Sequence, residues 1–584
     1  MILVTTAIED TWGKDDKLLF LGEWCKLYER KMVWSNRLSE TLPYHWDDRN
    51  KLRDDFERLQ TLNEDLLVEL TSVLNHLHRV KHGVRYWRIV IGYWLNIFTA
   101  VLFDRWEMIQ LAMASNKITN TILLNIPKEK LVANDSVEFQ QFIESDFWNH
   151  SIYLKIIEQF SNVSLVYRDC ESSYCATISN DGTKSTPSAK ELIKKGLNWL
   201  SCLTSHEVDP FIVTSNLPYR SEIKLYLSLG IIPKFWASVK TEISSYYGTM
   251  REWQLPLKTE HFGFDRFVRS LLPELLPRVF LEGYKRIKEK TSKLGWPKKP
   301  KFIFTANSHY SDDVFKIWAA VKTKNGTPLI TVDHGGFGSN AFNGSIKYQF
   351  DISDVSLSWG WEHNNYPQVK PFGIVKTVGK RRNKWDPNGV GLMVLLAMPR
   401  YSFDIRAMAI SGQMLGYFED QYRFYGTLPQ FIRDSFQIRL CSSDYDWYQK
   451  QRWLDRFPDV QLDTGLVPLS ALIEKSRLYI STYNATTYLE SLSLNMPTIM
   501  FWNPNHWEIR DDAFPYFNRL KENGIFHETP ESAAAKVAEV WDDVSAWWNQ
   551  KDIQDARQYF CHRFARSVEE PIKALKEVLL AANA

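Results

Sequence analysis

The chain has 584 residues, too many for one hydrophobic core, so two or more domains are expected. Hydrophobic residues at 44% and charged residues at 24% exclude wholesale disorder, and a net charge of +2 excludes a global pull toward nucleic acid. The six cysteines are scattered without a Cys-x-x-Cys pair, which argues against a disulfide framework and fits reduced thiols in a cytoplasmic protein.

The first ten residues, Met1 to Asp10, lack a basic region before their apolar run and read as a first strand rather than a signal peptide. A second apolar run, Leu18 to Leu21, precedes Gly22-Glu23-Trp24-Cys25, and Glu23 is a candidate for a cleft because it follows a strand. Tyr44-His45-Trp46-Asp47-Asp48 reads as the cap of a long charged helix from Arg49 to about Arg79; His45 or Asp47 facing an acceptor is the alternative. The most apolar segment, Ile89 to Phe103, is shorter than the roughly twenty residues of a membrane span. It is expected to be a buried helix within a helical insertion around residues 50 to 110, with an interfacial helix as the lesser alternative. Strand, loop and helix alternate on through Lys117–Ile122, Val163–Tyr167 and Phe211–Ser215, and a helix is expected from Pro273 to Lys293, closed by Gly295, Pro297 and Pro300.

Residues 301 to 360 alternate fast enough to predict a parallel α/β unit. Its strand Pro328–Val332 leads into Asp333-His334-Gly335-Gly336-Phe337-Gly338. A histidine leaving a strand's carboxyl end beside glycines has a near-neutral pKa and room for another molecule, which suits a general base on an acceptor hydroxyl. Asp333 or Asp351 is a candidate to orient it. A glycine turn with a structural histidine is the competing reading. In Asn307–Asp313 the acidic pair reads as a helix cap, and His309 stays open. The basic stretch 376 to 389 has no apolar period and is the best linker candidate.

Val390 to Met398 opens a second α/β unit that runs through Gln437–Leu440 and Ile525–His527, and Trp541 to Leu579 is mostly helical with a break near Pro571. The single Asp-x-Asp, Asp444-Tyr445-Asp446, reads as a helix cap, and with no His/carboxylate spacing of a ligand set no metal is expected. Residues Tyr479 to Trp502 are the most informative. They read as strand, hydroxyl-rich loop (Ser481, Thr482, Asn484, Thr486, Thr487), helix with Glu490, Pro497 stop, and buried strand. A loop between a strand's carboxyl end and a helix's amino end favours a phosphate. An ordinary βαβ element with a solvated Glu490 is the competing reading.

The Glu490-to-Pro497 spacing resembles the two-domain, doubly wound GT-B glycosyltransferases, whose glutamate receives the ribose hydroxyls of a nucleotide sugar. The His-Gly loop paired with the later Thr/Ser-Tyr loop is similar to the layout of teichoic-acid glycerophosphate polymerases and of transferases using CMP-linked acidic sugars. Phe20–Cys25, Leu42–Arg49, Pro328–Gly336, Ser358–Trp361, Arg477–Leu492, Phe501–Glu508 and Gly524–Glu531, in that order, look like a family of transferases of bacterial O-antigen and surface-polysaccharide loci. The resemblance covers nearly the whole chain; Asp333 departs from it, standing where Gln is expected.

That resemblance implies an α/β fold of two doubly wound Rossmann-like domains facing a cleft, residues 1–378 with the helical insertion and 379–560, followed by a C-terminal helix in 561–584. It implies a cytoplasmic, metal-independent glycosyltransferase, peripherally at the inner membrane face, with a nucleotide-sugar co-substrate and no resident cofactor. A CMP-linked Kdo or other acidic sugar is the first expectation for the donor, and a glycan or lipid-linked glycan for the acceptor. Transfer of a polyol phosphate from a CDP donor, or a non-catalytic glycan-binding scaffold, are the alternatives. His334, Asp333, Asp47 and Glu23 are the catalytic candidates. Ser481, Thr482, Asn484, Thr486, Thr487 and Glu490, with Asn503 and His506 further out, are the donor-site candidates.

Overall fold

The computed structural model describes the chain apart from residues 15, 170–188, 243, 259, 260, 337, 381, 383, 583 and 584 and the side chains of 189–195. Its apolar runs form three parallel sheets. The first contains β1 (Ile2–Val4), β2 (Leu18–Phe20), β3 (Ser39–Thr41), β4 (Asn120–Asn125) and β5 (Ser164–Asp169), in the order β3-β2-β1-β4-β5. The second contains β6 (Phe211–Val213), β7 (Ile303–Thr305), β8 (Leu329–Val332), β9 (Val355–Ser358) and β10 (Val369–Pro371), laid down in simple succession. The third contains β11 (Val390–Val394), β12 (Phe436–Arg439), β13 (Gln461–Asp463), β14 (Ser476–Ser481), β15 (Thr498–Phe501) and β16 (Phe526–His527), in the order β13-β12-β11-β14-β15-β16. Central strands such as β8 and β14 are buried along almost their whole length, as strands covered on both faces are.

The first and third sheets are doubly wound; the middle one winds one way only. The stretch 1–378 therefore carries two sheets where one was expected. Local patterning announces many of the strands, though not β3, β10 or β13, and none of their neighbours, and a sheet ends wherever the next strand pairs elsewhere. In the third sheet the winding reverses between β11 and β14, with Met393 opposite Ile480 and Val394 opposite Ser481. A crevice at such a reversal is where open α/β sheets bind ligands.

The expected insertion is a hairpin of two long helices, Arg49–His78 and Val84–Ala114, turned at Arg79 in the left-handed region (φ 54°). The second helix meets the length and composition of a membrane span, yet 83% of its most apolar window is buried inside the protein. It packs on Arg49–His78, Asp146–Phe160, Asp313–Lys324 and Gly344–Ile352, so it is a core helix joining the first two sheets. The helix expected over Pro273–Lys293 is split into Phe264–Leu275 and Tyr284–Lys293, because Pro277 pushes the residue before it out of the helical region. Helix Lys551–Phe564 runs through the boundary expected at 560, and the break precedes Pro571. The last helix, Pro571–Ala581, returns to the middle sheet and buries Leu575 and Leu579 against Leu225, Phe304 and Val332. Cys25, Cys202, Cys441 and Cys561 are free; Cys170 and Cys175 lie outside the described residues.

Candidate active site

β8 ends at Val332, and the next two side chains part company as alternation along a strand requires. Asp333 turns inward and is buried, with Gln349 Nε2 donating to its Oδ1 at 3.2 Å and Trp359 Nε1 donating to its carbonyl at 3.1 Å. Desolvation raises its carboxyl to about 7, against the stabilising bond from Gln349. His334 turns outward and keeps solvent access. Its Nδ1 lies 3.0 Å from Nδ2 of Asn216, a residue of the loop after β6 held at φ 61°, which asparagine tolerates. Desolvation, with the charge of Lys376 second, lowers the imidazole to about 4, so it is neutral at pH 7. Asp351 is engaged instead by Lys347 Nζ at 2.6 Å and Arg88 at 3.5 Å, so neither acidic candidate orients His334. His309 is fully buried close to His334 and far below its usual pKa, about 3, mainly through desolvation.

The glycines after His334 serve a purpose other than admitting an acceptor. A Cβ on Gly335 would lie 2.5 Å from Thr486 Oγ1, and one on Gly336 would lie 2.3 Å from Leu489 Cδ1 and 2.5 Å from the Ala485 carbonyl. The Gly336 N–H donates to Thr486 Oγ1 at 3.1 Å. Glycine is required because the loop after β14 presses directly on the loop after β8. Phe337 lies outside the described residues.

On the third-sheet side, most of the hydroxyl-rich loop is engaged within the domain. Ser481 donates to the Tyr483 carbonyl (3.3 Å), and Thr482 donates to the Val394 carbonyl (3.1 Å) and lies 2.7 Å from the Tyr417 hydroxyl, bridging the winding reversal. Asn484 is buried and accepts from the Tyr488 hydroxyl at 2.9 Å, and Thr487 pairs with the Tyr483 hydroxyl at 2.9 Å. Thr486, Thr487 and Glu490 keep surface at the seam. Glu490 lies on the short helix Thr487–Ser493, 3.8 Å from Lys380 Nζ. Lys376 lies between the two sides: its charge acts on His334, and Glu490 acts on it in turn. Asn503 is occupied in a local turn, accepting from Asn505 N–H at 3.0 Å.

The remaining candidates belong to another seam, between the first sheet and the third. Asp47 accepts from the Tyr44 N–H and from Gln413 Nε2, both at 3.0 Å. Next to it Arg49 grips Glu508 with two bonds of 2.5 and 2.9 Å and reaches Gln413 Oε1 at 3.0 Å. His506 is half-buried near Arg49, Asp47 and Glu508, and desolvation lowers its pKa. Glu23 is held by Lys26 Nζ at 2.7 Å and packs on Gly412. Buried Arg400 donates to the Trp24 carbonyl at 2.5 Å and to Asp146 at 2.8 Å. His45 is buried 3.1 Å from Asp104 and does not face a cleft. Asp444 accepts from the Tyr448 and Gln449 N–H groups, which makes it the helix cap that the sequence suggested, while Asp446 lies 3.2 Å from Arg400.

The structure thus brings together His334, Thr486 and Glu490 and places Asp47, Glu23 and His506 elsewhere. It adds Asn216, Lys376 and Lys380. The two lysines belong to the basic stretch 376 to 389, which reads in the sequence as a linker. Asn216 carried no signal, since its partner is more than a hundred residues away.

A family model described as LIC12162 family transferase matches residues 1–579. No curated protein matches the chain. Among solved structures, the chain is similar to the spinosyn rhamnosyltransferase SpnG complexed with spinosyn aglycone, at 11% identity and TM-score 0.28, over 50% of this chain and 79% of that one. It is also similar to MurG of Acinetobacter baumannii, at 10% identity and TM-score 0.31, over 66% and 96%. The wall teichoic acid polymerase TagF is similar at 9% identity and TM-score 0.29, over 51% and 85%.

Proposed function

We propose, for a chain that belongs to the LIC12162 family of transferases, that it is a glycosyltransferase working at the seam between the middle and third sheets. The observation that carries this reading is His334, neutral at pH 7, set beside Lys376 and across from Glu490. A sugar hydroxyl is a poor nucleophile, and a neutral imidazole can take its proton as it attacks the anomeric carbon. Asn216 couples to that role through the ring tautomer. When its amide N–H faces Nδ1, the ring proton sits on Nε2. A half-turn of the amide presents Oδ1, draws the proton to Nδ1 and frees Nε2 to accept from the acceptor. The catalytic cycle uses the second arrangement. Lys376 and Lys380 supply positive charge for the departing phosphate without a metal, and Glu490 accepts the ribose hydroxyls.

The donor is a nucleotide sugar, with a CMP-linked acidic sugar the first to try. The acceptor is a hydroxyl of a growing surface glycan, free or lipid-linked, at the inner face of the cytoplasmic membrane. The test incubates purified protein with CMP-, CDP-, UDP-, GDP- and dTDP-sugars and follows nucleotide release and thermal shift. Release from one donor, lost in His334→Ala, supports the reading; release of a polyol phosphate from a CDP donor, or no binding of any nucleotide, overturns it.

A further inference from the structure

A cavity of about 920 Å³ opens near Glu490, where the stretch 374–380 with Arg382, helix Tyr219–Ser228 and the crossover into the last helix meet. Among the described residues five cations line it, Lys224, Lys380, Arg382, Lys573 and Lys576, against two carboxylates, Glu569 and Glu570. One of those carboxylates is already held, since Glu570 pairs with Lys573 at 3.0 Å. Lys380 makes only the long pair to Glu490, at 3.8 Å. Lys224, Arg382 and Lys576 make no ion pair among the described residues.

These cations come from three separate segments and converge on one space. Like charges brought together without counter-charge destabilise one another. An anion held among them would supply that counter-charge. The wall is not uniformly polar: Ile374, Val378, Leu494 and Ile572 give it an apolar side, and Ser221 and Ser228 add hydroxyls. Its size suits a small ester, and is too small for a nucleic-acid duplex.

We propose that this cavity binds an organic diphosphate, its phosphates among Lys224, Arg382, Lys573 and Lys576 and its organic part along the apolar side. The proposal rests on the glycosyltransferase reading only for why such a ligand is there: a diphosphate-bearing substrate beside Glu490 is one end of the transfer. Binding would also draw Lys380 off Glu490, leaving that carboxylate free to take a sugar hydroxyl.

The experiment measures binding by calorimetry at low salt for three probes: inorganic pyrophosphate, CDP and farnesyl diphosphate. The parent is compared with Lys573→Ala/Lys576→Ala, both on the last helix, and with Arg382→Ala, each checked for an unchanged melting temperature. The expected result is binding of pyrophosphate and of at least one ester, weakened about tenfold or more in both variants and falling with added salt. Competition by pyrophosphate against CDP assigns the ligand to a soluble nucleotide; competition against farnesyl diphosphate assigns it to a lipid carrier. Either outcome supports the site. No binding of any probe, or equal binding by parent and variants, overturns it. His334→Ala keeps this binding, so a failure of the catalytic reading and a failure of the cavity are told apart.

Discussion

The third sheet meets the rest of the molecule along two seams, and they are built differently. Against the first sheet, Arg49 holds Glu508 bidentately and Arg400 reaches both a carbonyl and Asp146, so buried charges on one side find partners on the other. Against the middle sheet the contacts around the loop after β8 are made by neutral groups, the Gly336 N–H to Thr486 Oγ1, Asn340 Nδ2 to the Tyr488 hydroxyl at 2.8 Å and glycine-enabled packing, while Lys380 keeps only a long pair to Glu490 at 3.8 Å and Lys376 feels the charge of Glu490. Satisfied charge makes a joint; charge left without close partners, with a neutral imidazole next to it, is what a reacting anion needs. The contrast also explains why Asp47, Glu23 and His506 attract attention in the sequence and yet belong to the joint.

The largest expected effect is on turnover. His334→Ala should fold, bind donor nucleotide nearly as well as the parent and lose about a hundredfold to ten-thousandfold in rate, the range for a removed base. Retention of more than about a tenth of the rate would put the chemistry at the other seam, and the contrast would collapse. Arg400→Ala should strike the joint instead: loss of one partner from a buried pair costs about 3–5 kcal/mol, seen as a lower denaturant midpoint. An unchanged midpoint would mean that this seam bears no load. Glu490→Ala should weaken nucleotide binding by roughly tenfold to a hundredfold, about 1.5–3 kcal/mol, with stability unaffected.

The smallest effect concerns Asp333, beneath the active seam. Its folded pKa, about 7, lies above the ordinary carboxylate value, so the native state holds a proton that the unfolded chain releases. The stability it contributes is full at low pH and is lost as pH rises through about 7. Asp333→Asn, which keeps the contact to Gln349, should therefore melt higher than the parent at pH 8, with an advantage that shrinks steadily toward pH 4. A melting difference that does not change with pH would show that Asp333 is already ionised and paired.

Much of the fold was legible because it is local. Strands such as Leu329–Val332 and Ile499, the helix pair after Arg49, and the stop before Pro571 are each announced by period, cap or proline. What escaped is non-local: that β5 and β6 belong to different sheets, and that the helix over Pro273–Lys293 breaks at Pro277 to fit its neighbours. The site divides the same way. His334 and Glu490 follow from strand ends, whereas Asn216 reaches His334 from another strand's loop. The glycines misled for a physical reason: the sequence signals close approach but not whose backbone approaches.

The core helix Val84–Ala114 has a consequence for synthesis. Its partner helix Gly344–Ile352 leaves the ribosome roughly 240 residues later, about ten to fifty seconds at ordinary elongation rates. During that interval a segment with mean hydropathy 1.3 is present in the nascent chain without its full cover. A chaperone has its longest opportunity there, and pulse-labelled chains stalled before residue 344 should be the ones that aggregate.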